Sequence, residues 1–384
     1  MAENAIRVID IDGHVREADD LWERYLEPPF RSRAPKIQRV PNGQLLFLLE
    51  GNRHHRKPDE SPFQVKSDDS PVNEHRHLAT DPRERLKDMD RDGIERGMLF
   101  PSAGLYLTSV EEEAYAAALC RSYNNWLYDY CGTDRKRLMG VGVIPVQDVQ
   151  SAIHEARRVI VELGFKAIFM RPNPVKGRTI TDPYYEPLWD TLEELNLPLG
   201  FHEASGSRSR QAGEQFEPNF GLRRIYSQPF EQMMGLGSFL GGGILHRHPK
   251  LKVAFLEANC SWLPWLLWRL DEGYEREGDI FMTDLTMAPS EYFKRQCFIS
   301  VEPDEIPARH TIADFGCDQL VFSTDYPHGD SKYPHAVESF LKLSLSDEDK
   351  RKILWDNCAR FYAVNESSSN ERSATSHAGQ ALGQ

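Results

Sequence analysis

Short apolar segments rich in β-forming residues recur eight times along the chain, and segments of helical character lie between them. The eight predicted strands are IRVIDID (6–12), RGMLFP (96–101), LMGVGVIP (138–145), KAIFMRP (166–172), LPLGFHE (197–203), LKVAFLEAN (251–259), CFISVE (297–302) and QLVFSTDYP (319–327). Nearly continuous apolar runs are expected of strands that are buried on both faces of a parallel sheet. Eight such strands alternating with helices predict an α/β fold, a single (β/α)8 TIM barrel, although a doubly wound sheet shows the same alternation.

The predicted helices carry recognisable start and stop signals. The segment 81–95 begins with Asp-Pro and has Gly93 near its end. Four further helices are predicted at 111–132, 149–164, 184–196 and 260–277. With 384 residues, 40% of them hydrophobic, the chain is long enough for one large core. We therefore predict one barrel domain over residues 6–362, because barrels often run to this length as a single domain.

Two regions do not fit the alternation of strands and helices. Residues 28–80 follow the first strand and are rich in Pro, Arg, His and Asp, which predicts a long inserted loop. Loops of this length act as lids, contact partners or are disordered. Residues 365–384 are rich in Ser, Asn and Gly, so we predict a disordered tail there.

Charge and composition narrow the class of partner. The chain has 59 acidic and 46 basic residues and a formal net charge of −13, which disfavours nucleic acid and anionic membranes as partners. No apolar run approaches the ~20 residues of a membrane span, and the N-terminal segment lacks the pattern of a signal peptide. The six cysteines form no C-x-x-C pair, which is typical of reduced thiols and indicates a cytoplasmic location.

The first predicted strand ends in side chains that can bind a metal. Asp10, Asp12 and His14 alternate in VIDIDGHV, so an extended strand places all three on one face. Polar residues also stand at the carboxyl ends of other strands, where barrels carry their function. These residues are Arg171, His202, Glu203, Glu257, Asp325 and, just beyond the last strand, His328. Imidazole and carboxylate together suit Zn²⁺, Fe²⁺ or Mn²⁺. A single His at a strand end is more often a structural, hydrogen-bonded residue, so the prediction rests on the agreement of these residues in position.

Several segments resemble the amidohydrolase-related metalloenzymes, in the branch that includes aminocarboxymuconate-semialdehyde decarboxylase and the resorcylate decarboxylases. The matching segments are DIDGHV, RLKDMDRDGIERGMLFP, GFHEA, HRHPKLKVAFLEANCSWLPWLLWRLD and FSTDYPHGD. They occur in the order found in the family and span most of residues 6–362. The resemblance implies a barrel whose mouth binds a divalent metal ion; whether one or two ions bind is left open by Glu257.

Matched position by position, the resemblance implies four metal ligands, which are Asp12, His14, His202 and Asp325. Asp12 stands where many relatives have His, while some relatives of this branch use a carboxylate there. Asp10, two residues deeper in the strand, is then expected to hydrogen-bond backbone or other groups behind the ligands.

The sixth strand departs from the family pattern. The decarboxylases carry a His there that serves as general acid and base, and the alignment through PKLKV puts Glu257 at that position, whereas an alignment backwards from Pro264 puts Ala258 there. A buried Glu257 with a raised pKa can still move protons. It can equally be a metal ligand, and one that bridges two ions.

Three functions follow from these residues. The first is a metal-dependent enzyme that hydrolyses or non-oxidatively decarboxylates a small carboxylated substrate, with Glu257 or His328 moving protons and Arg171 binding the substrate carboxylate. A salt bridge to a neighbouring strand end is the structural alternative for Arg171. The second is a dinuclear iron or iron/manganese oxygenase (hydroxylase), because the set contains two histidines and three acids. The third is a non-catalytic barrel subunit. We also expect a homo- or hetero-oligomer.

Overall fold

Eight parallel strands form a nearly closed barrel in the computed structural model, which describes residues 6–39, 45–50, 53–54, 79–204, 211–216 and 219–364. The strands of these residues are β1 (Ile9–His14), β2 (Lys36–Arg39), β3 (Leu45–Leu49), β4 (Arg53–His54), β5 (Arg96–Phe100), β6 (Leu138–Val143), β7 (Ala167–Met170), β8 (Leu199–Phe201), β9 (Val253–Phe255), β10 (Cys297–Val301) and β11 (Leu320–Phe322). The barrel order is β1-β5-β6-β7-β8-β9-β10-β11. This order confirms the TIM barrel and excludes the doubly wound sheet, whose strand order reverses partway.

The helices lie between the barrel strands, as the alternation predicts. Their bounds are α1 (Leu21–Tyr25), α2 (Pro82–Asp92), α3 (Glu113–Cys131), α4 (Val149–Val161), α5 (Glu186–Glu194), α6 (Phe220–Leu240), α7 (Ile244–Arg247), α8 (Leu263–Phe281), α9 (Pro289–Gln296), α10 (Ala308–Phe315), α11 (Ala336–Leu341), α12 (Asp347–Arg351) and α13 (Asn357–Phe361). Helix α2 begins where the sequence predicts, because Asp81 accepts a hydrogen bond from Arg83 N at 2.8 Å with Pro82 at the first position. It ends at Gly93, whose φ of 79° is left-handed.

The barrel closes between its last and first strands at the mouth. Asp325 N donates to the Asp12 carbonyl at 3.0 Å, and His14 N donates to the Tyr326 carbonyl at 2.7 Å. The register of β1 against β5 shifts between Asp10 and Gly13. This irregularity falls in the segment that carries the predicted ligands, where bulges commonly redirect side chains.

The sequence predicts a long inserted loop over residues 28–80, but the described part of this insertion contains a small antiparallel sheet. Strands β2, β3 and β4 pair in that order, and the residues 55–78 lie outside the described part of the chain. Phe47 and Leu49 are buried, and the ring of Phe47 packs against Trp22 at 6.4 Å. The apolar side chains of β3 therefore dock the start of the insertion on the body of the protein. A role for residues 28–80 as lid or partner contact stays a prediction, and the predicted tail at 365–384 also lies outside the described residues.

The described helices include none that combines the length and the hydropathy required to cross a membrane.

Candidate metal centre

Three of the barrel strands bring the predicted ligands together at their carboxyl ends. Asp12 and His14 end β1, His202 follows β8, and Asp325 follows β11. Ligand atoms of Asp12, His14 and His202 lie within 4.8 Å of one another, and the same holds for a second group made of His14, Asp325 and His328. His14 belongs to both groups. The fold thus brings together residues that are far apart in sequence, as parallel barrels do at the carboxyl ends of their strands.

The two imidazoles are held in one tautomer by backbone carbonyls. His14 Nδ1 donates to the Pro101 carbonyl at 2.7 Å, and His202 Nδ1 donates to the Glu203 carbonyl at 2.6 Å. A carbonyl only accepts, so both protons sit on Nδ1 and both Nε2 atoms present lone pairs. These two Nε2 atoms face each other at 3.0 Å. Burial lowers the pKa of both rings, that of His202 to about 3, so both stay neutral near pH 7.

The carboxylate of Asp12 faces the two imidazoles and is approached by the backbone of Glu257. Its Oδ1 lies 3.5 Å from His202 Nε2 and 3.7 Å from His14 Nε2. Neither oxygen accepts a hydrogen bond of normal geometry from the described residues. Burial, reinforced by Asp325, raises the pKa of Asp12 well above its usual value. A fully buried carboxylate in this setting needs a cation to keep its charge.

These donor atoms fit a divalent metal ion. Two lone pairs that face each other at hydrogen-bond distance repel unless a cation or a proton lies between them, and the Nδ1 bonds leave no proton for either Nε2 atom. The Asp12 oxygens and Oδ2 of Asp325, which accept no hydrogen bond of normal geometry from the described residues, supply the negative charge. Nitrogen and oxygen donors of this kind suit Zn²⁺, Fe²⁺ or Mn²⁺. The assignment of Asp12, His14, His202 and Asp325 as ligands stays a prediction that this geometry supports.

Asp10 does not join the imidazoles. Its Oδ2 accepts from Thr324 Oγ1 at 2.6 Å, while its Oδ1 accepts from Thr324 N at 3.0 Å and from Asp12 N at 3.2 Å. The residue thus bonds the backbone behind the ligands, as expected. Asp10, Asp12 and His14 are all buried, and the register of β1 against β5 shifts between Asp10 and Gly13.

Glu257 lies at the edge of the same cluster. Its Oε2 is 3.1 Å from His202 Nε2, and its Oε1 accepts from Gln228 Nε2 at 2.5 Å. Burial, with Asp325 nearby, raises the pKa of Glu257 well above its usual value. Glu257 and Asp325 both have a φ of 54°, in the left-handed region that side chains other than glycine seldom adopt. Strain of this kind is typical of functional sites.

His328 lies beside the candidate ligands and is bonded through both ring nitrogens. Its Nδ1 is 2.6 Å from Asp325 Oδ1, and its Nε2 is 2.9 Å from Ser102 Oγ. Its ring packs on that of His14 with the centroids 4.0 Å apart. Because it is the most exposed of the three imidazoles, it is well placed to exchange protons with the mouth.

Arg171 is fully buried behind the site. Its Nη2 donates to Glu203 Oε1 at 3.1 Å and to the Ala204 carbonyl at 3.2 Å, which is the salt bridge between strand ends that the sequence allows as an alternative. Nε and Nη1 have no hydrogen-bond partner among the described residues. A role for Arg171 in binding the substrate carboxylate stays a prediction.

Sequence reasoning missed the helix that covers one side of the site. Helix α6 places Arg224 Nη2 3.6 Å from Glu257 Oε1, and Arg224 also pairs with Asp330. One turn further along, Gln228 bonds Glu257, and Gln232 Nε2 bonds the carbonyls of Phe201 and Leu256. Polar residues at positions 224, 228 and 232 repeat at helical spacing, and that pattern is the signal that could have revealed this face.

Comparison with known proteins agrees with the barrel. The amidohydrolase family model matches residues 9–364. The chain is 26% identical over 288 residues to 2-amino-3-carboxymuconate-6-semialdehyde decarboxylase of Dictyostelium discoideum, which covers 74% of this chain and 77% of that protein. It is 25% identical over 299 residues to gamma-resorcylate decarboxylase of Polaromonas sp., which covers 73% of this chain and 87% of that protein.

Solved structures share the same fold. An amidohydrolase from Mycobacterium avium subsp. paratuberculosis has a TM-score of 0.75 and 23% identity, with 94% of this chain and 100% of that chain covered. The 5-carboxyvanillate decarboxylase of Novosphingobium aromaticivorans, solved with manganese, has a TM-score of 0.71 and 21% identity, with 95% and 98% covered. Since the family model spans nearly the whole described barrel, the chain belongs to the amidohydrolase family and is an enzyme.

Proposed function

We propose that this enzyme is a metal-dependent decarboxylase that removes carbon dioxide from a small carboxylated aromatic substrate without an oxidant. The observation that carries the proposal is the pair of Nε2 lone pairs of His14 and His202, which face each other beside an Asp12 carboxylate that accepts no hydrogen bond of normal geometry from the described residues. The relatives named for decarboxylation of resorcylate, carboxyvanillate and aminocarboxymuconate semialdehyde support the reaction class.

Asp12, His14, His202 and Asp325 would hold the metal at the mouth. A divalent cation bound there supplies Lewis acidity toward a substrate oxygen. The neighbours with manganese support Mn²⁺ as the first ion to test, with Zn²⁺ and Fe²⁺ as alternatives. Pro101 and Glu203 contribute by fixing the two rings through their carbonyls, because a ligand held in the binding tautomer loses less freedom on binding.

Decarboxylation needs a proton at the carbon that loses the carboxylate. The bond between that carbon and the carboxylate breaks, carbon dioxide leaves, and the electron pair that stays on the carbon takes up the proton. Glu257 stands at the strand end where the related decarboxylases have their acid, and Gln228 fixes its orientation. We propose Glu257 as the proton donor and His328 as the group that exchanges protons with solvent. A bridging role between two ions remains the alternative for Glu257.

The substrate carboxylate requires a cation at the mouth. Arg171 is the residue predicted from sequence, but its side chain is 0% exposed and it is paired with Glu203. Arg224 is 30% exposed and faces Glu257 from helix α6. We propose that Arg224 contacts the substrate carboxylate and that Arg171 orders the wall behind it, because only a guanidinium that reaches the mouth can form a bidentate pair with the ligand.

The competing functions gain less support. The oxygenase interpretation rests on counting acids, and none of the relatives named above is an oxygenase. Hydrolysis uses the same ligands, so it stays the second candidate on the strength of the family alone. A cytoplasmic location and an oligomeric assembly are further proposals that follow from the sequence.

The test begins with metal analysis of protein purified without chelator. The Mn²⁺-loaded enzyme is then incubated with carboxyl-¹³C-labelled 2,6-dihydroxybenzoate and 5-carboxyvanillate, with and without oxygen. We expect bound metal, labelled bicarbonate and equal rates under both atmospheres, and loss of activity when the metal is removed. Protein without metal would contradict the proposal. A product that forms only with oxygen would instead favour the oxygenase. Hydrolysis needs a separate substrate, an ester or amide of a small aromatic acid, and its cleavage without release of labelled bicarbonate from the two benzoates would favour a hydrolase.

A further inference from the structure

The seam between β1 and β11 differs from the other barrel contacts. In the described sheet the strand order begins at β1 and ends at β11, so this neighbouring pair has no regular ladder of its own. Three of the four predicted ligands lie on the two sides of the seam, namely Asp12 and His14 on one side and Asp325 on the other. The distance between these ligands therefore depends on whatever holds the seam together.

Arg85, a residue of helix α2, joins the two sides of the seam. It is 1% exposed. Its Nη1 donates to the carbonyl of His14 at 2.8 Å and to the carbonyl of Tyr326 at 3.1 Å. Its guanidinium also packs over the ring of Tyr326 at 4.6 Å. One buried cation thus binds the backbone of a predicted ligand and the residue that follows another.

Asp10 joins the same two strands from within the barrel. It belongs to β1, and it accepts both hydrogen bonds of Thr324, which precedes Asp325 on the other side of the seam. Gly13 leaves room for this arrangement, since a Cβ added there would lie 2.5 Å from Arg85 Nη2 and 2.7 Å from Asp10 Oδ2. The guanidinium and the carboxylate therefore approach each other through the space that a side chain would fill.

We propose that Arg85 and Asp10 form a seam clamp, and that this clamp positions the ligands and so sets the affinity of the metal site. The inference rests on the proposed function to the extent that the site must bind a metal. Two backbone hydrogen bonds also cross the seam, from Asp325 N to the Asp12 carbonyl and from His14 N to the Tyr326 carbonyl. Without the clamp these bonds would hold the strand ends less rigidly, and metal binding would then have to order the ligands. Removal of groups that orient ligands weakens metal binding by about 10- to 100-fold in other proteins. Metal binding is then coupled to closure of the seam, so that each favours the other.

The test compares two arginines that have the same type of bond in different places. Arg137 also donates to two backbone carbonyls, those of Glu95 at 3.1 Å and Ile94 at 3.0 Å, but it lies at the opposite end of the barrel. The dissociation constant for Mn²⁺ is measured by titration of chelated and dialysed protein for wild type, Arg85→Met, Arg85→Lys and Arg137→Met. Thermal unfolding is recorded for each protein with and without Mn²⁺.

We expect Arg85→Met to raise the Mn²⁺ dissociation constant about 10- to 100-fold and Arg85→Lys to restore part of the affinity. Arg137→Met should lower the unfolding temperature and leave the dissociation constant unchanged. Equal constants for Arg85→Met and wild type would overturn the clamp. If Arg85→Met does not fold, Thr324→Val, which removes a donor to Asp10, takes its place with Thr324→Ser as its control. A wild type that binds no Mn²⁺, Zn²⁺ or Fe²⁺ would overturn the proposed function itself.

Discussion

Both ends of the barrel carry buried or half-buried histidines, but their hydrogen-bond partners differ. At the mouth, His14 and His202 direct lone pairs at each other beside the Asp12 carboxylate. At the opposite end, His246 Nδ1 bonds the hydroxyl of Tyr292 at 2.9 Å, and His248 Nε2 bonds Glu186 Oε2 at 2.8 Å. Histidines thus occur at both ends. At the mouth two imidazole nitrogens face each other, whereas at the opposite end each histidine bonds a group of the chain through one nitrogen, and Nδ1 of His248 lacks a hydrogen-bond partner among the described residues.

This difference teaches how a functional cluster is told from a structural one. A buried polar group without a partner costs free energy, yet some occur away from the mouth, such as Trp189 Nε1 and Asp92 Oδ2. The mouth differs because several atoms that can bind a metal converge there within 4.8 Å of one another. At the amino end the chain supplies a hydrogen-bond partner to one ring nitrogen of His246 and to one of His248. At the mouth the two facing nitrogen atoms and the oxygen atoms that lack hydrogen-bond partners are available to bind a cation. The following experiments test that contrast.

Loss of an imidazole at the mouth should have the largest effect. We expect His14→Ala and His202→Ala each to lose nearly all bound metal and activity, because the remaining ligands cannot refill the position. His246→Ala is the matched control and should keep its metal content. Metal per chain, measured after dialysis, decides the matter. Metal loss in His246→Ala but not in His202→Ala would reverse the assignment of the two ends.

Neutralising Glu257 should have the next largest effect. Glu257→Gln keeps the volume of the side chain and removes its ionisable proton. If Glu257 is the proton donor, the variant should be about 10²- to 10⁴-fold slower, with its metal content unchanged at about one ion per chain. A bridging ligand would behave differently, because loss of its charge should release one of two ions. Rate and metal content measured on the same preparation separate the two roles. Glu186→Gln, at the opposite end, is the control.

Replacing Arg224 should affect substrate binding more than turnover. A charged hydrogen bond contributes about 1.5–3 kcal/mol, so Arg224→Gln should raise KM for a carboxylated substrate by about 10- to 100-fold with a smaller change in kcat. Arg157→Gln breaks a surface ion pair with Glu194 and serves as the control. An unchanged KM in Arg224→Gln together with a raised KM in Arg171→Gln would return the binding role to Arg171.

Asp92 is an exception to the contrast, and it should have a smaller effect on stability. It ends helix α2 away from the mouth, and burial raises its pKa from 3.8 to about 7. An acid whose pKa is higher in the folded chain than in the unfolded chain contributes its full stabilisation at a pH below the unfolded pKa. This stabilisation is lost as the pH rises through the folded pKa, which is about 7 here. Asp92→Asn should therefore raise the unfolding temperature more at pH 8 than at pH 5, by on the order of 2 °C for each ~1 kcal/mol. A larger gain at pH 5 would contradict this.

Truncation should have the smallest effect. Removal of the residues after Val364 is expected to leave the unfolding temperature and the metal content unchanged, because the composition changes at that point to Ser, Asn and Gly. A large loss of either quantity would show that the tail contributes to the barrel or to the mouth.

The local pattern of the sequence determined most of the fold. All eight barrel strands were predicted, because each is a short apolar run between polar helices. Seven of the predicted segments contain the observed strand, while the first, 6–12, ends two residues before β1 ends at His14. The helix starts at Asp81 and Asp148 follow from side chains that accept backbone N–H groups within the same turn. The candidate ligands also follow from local reasoning, since a strand end is visible in the sequence and function gathers there in a barrel.

Tertiary structure decided the pairing of those residues. His14 and His202 are 188 positions apart, and nothing local indicates that their Nε2 atoms meet. Arg224 and Gln228 reach Glu257 only because helix α6 lies over the mouth, and Arg85 reaches the seam only because α2 packs beneath it. Hydropathy and spacing report which face a residue occupies, whereas contacts between elements depend on how the whole barrel closes. For that reason the sequence predicts which residues form the candidate site, but it does not predict which of them contact one another.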